Sequence, residues 1–265
     1  MIKLGVNSVL FKAFTFAEAA EIIAKAGYDG VEISAIQGMC EHLDLDNFKA
    51  QKEELKNAVE ANGLEFLSME VASLDRERLE KAFEAGAEIG IPVVNVGPGG
   101  KSDEPGSLEE SIEILRDRVE LAASYGVTLC CKAHVGNAIY NTPTTIAAMD
   151  AIKNPFFGID MDPSHIWRAG ENPVEALAPV LSRVKHIHIR DCKGMGPSPG
   201  EPALQICGRG DIDLANYLKV MVEGNYSGPV CLEVIGPDQT LPEAAIIAAE
   251  SYGYMNAILK TLNAR

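Results

Sequence analysis

No stretch of this sequence carries an apolar run near the roughly 18–20 residues needed to cross a bilayer. Its opening residues, MIKLGVNSVLF, lack the layout of a signal peptide and read instead as a short first strand. A cytoplasmic location is therefore expected. Basic residues are scarce, with 23 Lys and Arg against 38 Asp and Glu, a formal net charge of -15. Nucleic-acid affinity rests on neutralising phosphates with clustered Lys and Arg, and no such cluster offsets the acid here. This argues against nucleic acid and anionic membrane surfaces as partners. The six cysteines, Cys40, Cys130, Cys131, Cys192, Cys207 and Cys231, include no C-x-x-C pair. Several fall inside apolar, strand-like runs, so buried free thiols are expected rather than disulfides or a zinc knot. No G-x-G-x-x-G follows the first strand, which weakens a dinucleotide-binding reading.

What the sequence does have is a repeated unit. Short runs rich in β-branched residues begin at Leu4, Gly30, Glu65, Val93, Thr128, Phe156, Val184 and Pro229. Helical patterns lie between them, among them TFAEAAEIIAKAGY, DRERLEKAFEAGAEIGI, SLEESIEILRDRVELAASYGV and LANYLKVMVEGNYSG. Each ends near a glycine, a helix-stop signal, and a strand follows at once. Alternating strands and helices imply right-handed crossovers and a parallel sheet. Eight such units in 265 residues predict an α/β protein with a (β/α)8 TIM barrel, an open doubly wound sheet being the alternative. No linker or compositional break divides the chain, so residues 1–265 are expected to form one domain. The longest loop, from Cys192 to Asp211, is rich in Gly and Pro, and its length suits a functional element such as a lid.

The strands also alternate in polarity. Val31 and Ile33 flank Glu32, Leu67 and Met69 alternate with Ser68 and Glu70, and Val94 and Val96 flank Asn95. Ile159 and Met161 alternate with Asp160 and Asp162, Ile187 and Ile189 with His186, His188 and Arg190, and Leu232 and Val234 flank Glu233. In a barrel the helices cover the outer face, so the apolar parity faces out and the polar parity points in. Asn7 and the pair Lys132 and His134 join the inward set. So many ionisable groups inside one ring must pair, bind metal or face a wet pocket.

The segments KAHVGNAIYNTPTT, GIDMDPSHIW, VKHIHIRD, GRGDIDLANYLKVM and GPVCLEV, in this order and spacing, resemble the xylose-isomerase-like TIM barrels, the sugar phosphate isomerase/epimerase family. Tagatose-type 3-epimerases, hydroxypyruvate isomerase, inosose dehydratase and endonuclease IV are relatives. The resemblance covers essentially the whole chain. It implies one divalent metal ion (Mn, Co, Zn or Mg) with four ligands at the ends of the last four strands. Three carry over as Asp162, His188 and Glu233. The first ligand, a Glu in a Glu-x-His strand end, falls on Lys132, where this chain reads KAH.

In the scheme the resemblance implies, two glutamates on opposite faces of a ketose remove and return a proton alpha to the carbonyl, and the metal stabilises the enediolate. Lys132 replaces one of those glutamates. Three outcomes are open. The ion persists on three ligands beside a neutral lysine that serves as base; the ammonium replaces the ion and pairs with Asp162 and Glu233; or Lys132 forms a Schiff base with a carbonyl substrate. The catalytic candidates are Glu233, Lys132 and His165. His134, Arg190, Glu70, Asn7 and Trp167 are candidates for substrate contact, Arg190 because a guanidinium grips a carboxylate or phosphate bidentately. His186, one layer below His188, and His42, on the loop after the second strand, are expected to be structural. The expectation is an isomerase or epimerase acting on a small keto-sugar, polyol or sugar acid, with dehydration or another lyase reaction within range and a homo-oligomer as a common state among relatives. Its rivals are a lapsed barrel that binds a sugar or serves as a structural subunit, and a metal-free, lysine-dependent lyase. The endonuclease chemistry needs more metal ligands and DNA affinity, which the charge opposes.

Overall fold

The computed structural model describes residues 1–265. Eight parallel strands close into a barrel: β1 (Lys3–Asn7), β2 (Gly30–Ile36), β4 (Glu65–Glu70), β5 (Val93–Val96), β6 (Thr128–Lys132), β7 (Phe157–Met161), β8 (Val184–Ile189) and β9 (Pro229–Leu232). Closure comes from β1, which pairs with β2 at Gly5–Gly30 and with β9 at Gly5–Cys231. Every strand anticipated from the sequence is present. The pattern did not reveal β3 (Cys40–Glu41), a two-residue strand folded back antiparallel on the end of β2. A segment that short carries no periodicity to detect.

Nine helices run between and after the strands: α1 (Phe16–Ala26), α2 (Phe48–Ala61), α3 (Arg76–Ile89), α4 (Ser107–Ser124), α5 (Thr142–Ala151), α6 (Pro163–Arg168), α7 (Pro173–Val180), α8 (Leu214–Glu223) and α9 (Leu241–Thr261). Local chemistry sets their ends. Thr15 and Glu18 form a reciprocal capping box at the start of α1, and Gly27 stops that helix at φ 103°, a conformation that strains any residue with a Cβ. No helix is long and apolar enough to cross a membrane.

The outward parity holds. Val31, Ile33, Val94, Val96, Ile159, Met161, Ile187, Ile189, Leu232 and Val234 are buried in one apolar cluster of 68 residues between barrel and helices. Leu67 is the exception. The register between β2 and β4 skips it, pairing Val31 with Phe66 and Glu32 with Ser68. This bulge brings the Leu67 side chain to the space that a Cβ on Gly5 or Gly30 would need, 2.6 Å from either ideal position. Leu67 therefore plugs the barrel floor, where alternation alone had placed it outside. Cys130 Sγ fills the same layer against Gly158. All six cysteines are free and buried.

Candidate active site

The polar parity forms two tiers above that floor. The lower tier is a closed hydrogen-bonded network. Asp160 on β7 accepts from the His188 ring Nδ1 at 2.6 Å and the His186 ring Nδ1 at 3.0 Å, and from the His188 backbone N–H at 3.0 Å. His188 Nε2 meets Glu32, and Glu32 also accepts from Asn7 at 2.9 Å and Asn95 at 2.6 Å. His186 Nε2 is 2.9 Å from Ser68 Oγ. These groups are fully buried. Burial opposes the charge on His188, but Asp160 and Glu32 on its two sides outweigh it and hold its pKa well above the ordinary value. The two imidazoles in turn keep Glu32 and Asp160 low against the cost of burial. His186 and His188 thus share one network through Asp160.

The upper tier lies at the C-terminal ends of the strands, where this fold builds its sites. Glu70 and Lys132 are the last residues of β4 and β6, while Asp162, Arg190 and Glu233 directly follow or lie one past β7, β8 and β9. Lys132 Nζ donates to Glu70 Oε1 at 2.8 Å and to Glu233 Oε1 at 3.0 Å. Arg190 donates to Asp162 Oδ2 at 2.8 Å and to Ser164 Oγ at 2.8 Å, and its Nη1 lies 3.2 Å from Glu233 Oε2. That ion pair stands in place of an aligned hydrogen bond at this Glu233 oxygen. Asn7 reaches up from below to Glu70 at 2.6 Å, so it positions a carboxyl rather than lining the cavity.

The environments of the two glutamates diverge. Burial, together with the nearby Glu233 carboxylate, pushes Glu70 up to about 8. Burial would raise Glu233 too, but Lys132 and Arg190 hold it well below the usual carboxylate range. A protonated and an ionised carboxyl therefore flank one ammonium. Burial alone would neutralise Lys132; Glu233 and Glu70 reverse that and keep it charged.

Above this tier opens a cavity of about 530 Å³. Glu70, Lys132, Arg190 and Glu233 form its floor, and His134, His165 and Arg168 its wall. His134 lies past the end of β6, its ring 4.0 Å from that of His165. His165, on α6, sits between Arg190 Nη2 at 2.9 Å and Arg168 Nη2 at 3.0 Å. Burial and these guanidinium groups drive its pKa well below the ordinary value, so it is neutral. Burial and Lys132 also lower His134. Arg168 escaped the sequence reading, although Asp162, His165 and Arg168 recur every three residues, the spacing of one helix face.

Pro197, Ser198 and Pro199 of the loop after β8 complete the wall. The loop is pinned by Arg168 Nη1 on Pro197 O at 3.1 Å and by Trp167 Nε1 on Gly194 O at 3.0 Å. Trp167 was expected to touch substrate; it instead anchors this loop and does not line the cavity, because its indole N–H is turned to the backbone outside.

The residues expected to hold a metal are differently engaged. Asp162 is bound by Arg190 and by the backbone and hydroxyl of Ser164, and Glu233 by Lys132 and Arg190. His188 presents each ring nitrogen to a carboxylate of the lower tier, Asp160 and Glu32. With Lys132 and Arg190 between its carboxylates and both His188 ring nitrogens turned to other carboxylates, this donor set does not suit a divalent ion. Other buried groups do bring ligand atoms within 4.8 Å of one another: Glu32, His186 and Cys231; Asp160, His186 and His188; and Glu32, Glu70 and His188.

Three kinds of comparison place this arrangement among known proteins. The sequence model of the family described as xylose isomerase-like TIM barrel matches residues 20–252. A protein named inosose dehydratase from Clostridium botulinum (strain Alaska E43 / Type E3) is 26% identical over 262 residues, covering 84% of this chain and 83% of that protein. Another of the same name from Clostridium perfringens (strain 13 / Type A) is 25% identical, covering 88% and 89%. Among solved structures, the IOLI protein with a bound zinc atom superposes with a TM-score of 0.79 at 19% identity, covering 98% of this chain and 99% of that one. The probable 3-DHS dehydratase AsbF of Bacillus anthracis gives 0.77 at 16%, covering 96% and 99%. At such identities the structural likeness speaks for the fold.

Proposed function

This chain belongs to the xylose isomerase-like TIM barrel family, and we propose on that footing that it is an enzyme moving a proton at the carbon alpha to the carbonyl of a small sugar, polyol or sugar acid. Isomerisation, epimerisation and dehydration share that step. Relatives named inosose dehydratase favour a cyclic or open-chain polyol ketone as substrate. One observation carries the reading. On the floor of the cavity Glu233 is held ionised by Lys132 and by the Arg190 ion pair at its Oε2, and Glu70, pushed up to about 8, shares the Lys132 ammonium with it.

Two carboxyl groups with pKa values driven apart supply a base and an acid at one pH. Glu233 Oε2 takes the alpha proton. Glu70, which holds the proton of the pair, returns or delivers it, to carbon in an epimerisation or to a departing hydroxyl in a dehydration. Lys132 keeps the two carboxyls apart in protonation state. Arg190 and Arg168 hold substrate oxygens, and His134 packs on His165 to fix its ring.

The test is solvent exchange. The protein is incubated in D2O with inosose and with a panel of ketohexoses, and deuterium at the alpha carbon is followed by NMR. Incorporation that disappears in Glu233→Gln is the expected result. Ligand binding with no exchange from any of these ketones would overturn the proposal in favour of a sugar-binding barrel without turnover.

A further inference from the structure

The mouth of the barrel holds two fixed cations where the family resemblance places one divalent ion. Lys132 occupies the position of the missing carboxylate ligand, and its Nζ extends to Glu233, one of the carboxylates left from that set. Arg190 occupies the other remaining carboxylate, Asp162, at 2.8 Å and stands 3.2 Å from Glu233. All four side chains are at least 95% buried. An ion bound there would compete with both cations for the same oxygens.

We propose that the Lys132 ammonium, backed by Arg190, stands in for the divalent ion, so that this protein holds its substrate's carbonyl oxygen by hydrogen bonding and fixed charge and binds no metal at Asp162, His188 and Glu233. An ammonium has three N–H donors. Two are spent on Glu70 and Glu233, and Lys132 lines the cavity, so the third is available to a substrate oxygen. A fixed cation aimed where negative charge develops stabilises an enolate without losing its own proton. The geometry follows from the substitution. A glutamate at position 132 would set a second carboxylate against Glu233, next to the Glu70 carboxyl, and that concentration of acid would then call for a cation from solution. Lysine supplies that cation covalently. The role toward a carbonyl rests on the function proposed above; the statement about metal does not.

The experiment therefore reads metal binding, not turnover. Wild-type protein is dialysed against EDTA and titrated with Mn2+, Co2+ and Zn2+ by calorimetry, with melting temperature followed in parallel. No stoichiometric binding and no rise in melting temperature are expected. Lys132→Glu, treated identically, is expected to bind about one ion per chain and to gain several degrees, since a ligand that binds only the native state stabilises it. One ion per wild-type chain, lost in Asp162→Asn, would overturn the proposal. So would a folded Lys132→Glu protein that binds no more metal than wild type. Should that variant not fold, the wild-type titration still decides. A wild-type protein that binds no metal and exchanges no substrate proton would defeat the functional reading and leave this one standing.

Discussion

Lys132 and Glu233 lie 101 residues apart in sequence, yet their charged atoms meet at 3.0 Å on the floor of the cavity. Neither group would be ionised there alone, because burial without a partner neutralises both. Together, and with Glu70 and Arg190, they form a set in which each charge depends on the others.

Replacing Glu233 by Gln removes the base and keeps the shape. Proton exchange is expected to fall by about 10²–10⁴-fold or more, while circular dichroism and chain compactness stay unchanged. Retained activity in a folded Glu233→Gln protein would remove Glu233 from the mechanism.

Truncating Lys132 to Met leaves Glu70 and Glu233 facing each other without their shared ammonium. Breaking a buried pair on one side costs about 3–5 kcal/mol, read as a lower urea midpoint. Glu70 stays protonated when the ammonium that lowers it is gone, so adding Glu70→Gln to Lys132→Met should change stability little further. A double-mutant cycle measures the coupling, and strictly additive effects would show that the pair does not interact.

Glu70 gives the protein a pH signature. Its carboxyl is raised from 4.5 in the ordinary case to about 8 in the native state. The native protein thus keeps a proton that the unfolded chain gives up. Its contribution to stability is fully present below about pH 4.5 and is lost as pH rises through 8. The slope attributable to this one group approaches about 1.4 kcal/mol per pH unit between those limits. Glu70→Gln, which cannot release a proton, is expected to flatten this part of the curve when urea midpoints are compared from pH 5 to 8.5. A curve identical to wild type would mean that Glu70 is ionised in the native state.

Lys132 is held as an ammonium by two carboxyl groups, and an ammonium is not a nucleophile. Borohydride treatment in the presence of ketone substrates is expected to trap no covalent adduct on Lys132, as judged by intact-mass and peptide mass spectrometry. An adduct at that residue would restore the Schiff-base route.

The sequence by itself determined the eight strands, the closure they imply and which parity faces the lumen, because all of these follow from period-two alternation and from helix stops encoded within a few residues. It also brought Glu233, Lys132, Arg190, His134 and His165 to one rim. What it left open was partnership. Lys132 pairs with Glu70 and Glu233, and Asp162 goes to Arg190. Leu67 turns inward through a bulge that a run of alternating residues does not announce. His188, matched by position to a metal ligand, is enclosed by Asp160 and Glu32 in the lower tier. Trp167 faces a loop and Arg168 the cavity, though they are neighbours in sequence. The tertiary structure decided these points for a physical reason. Side-chain direction is a local property of the backbone, but the atom a charge finally meets depends on strand stagger and bulges around the whole ring, and on the competition among buried groups for too few counter-charges.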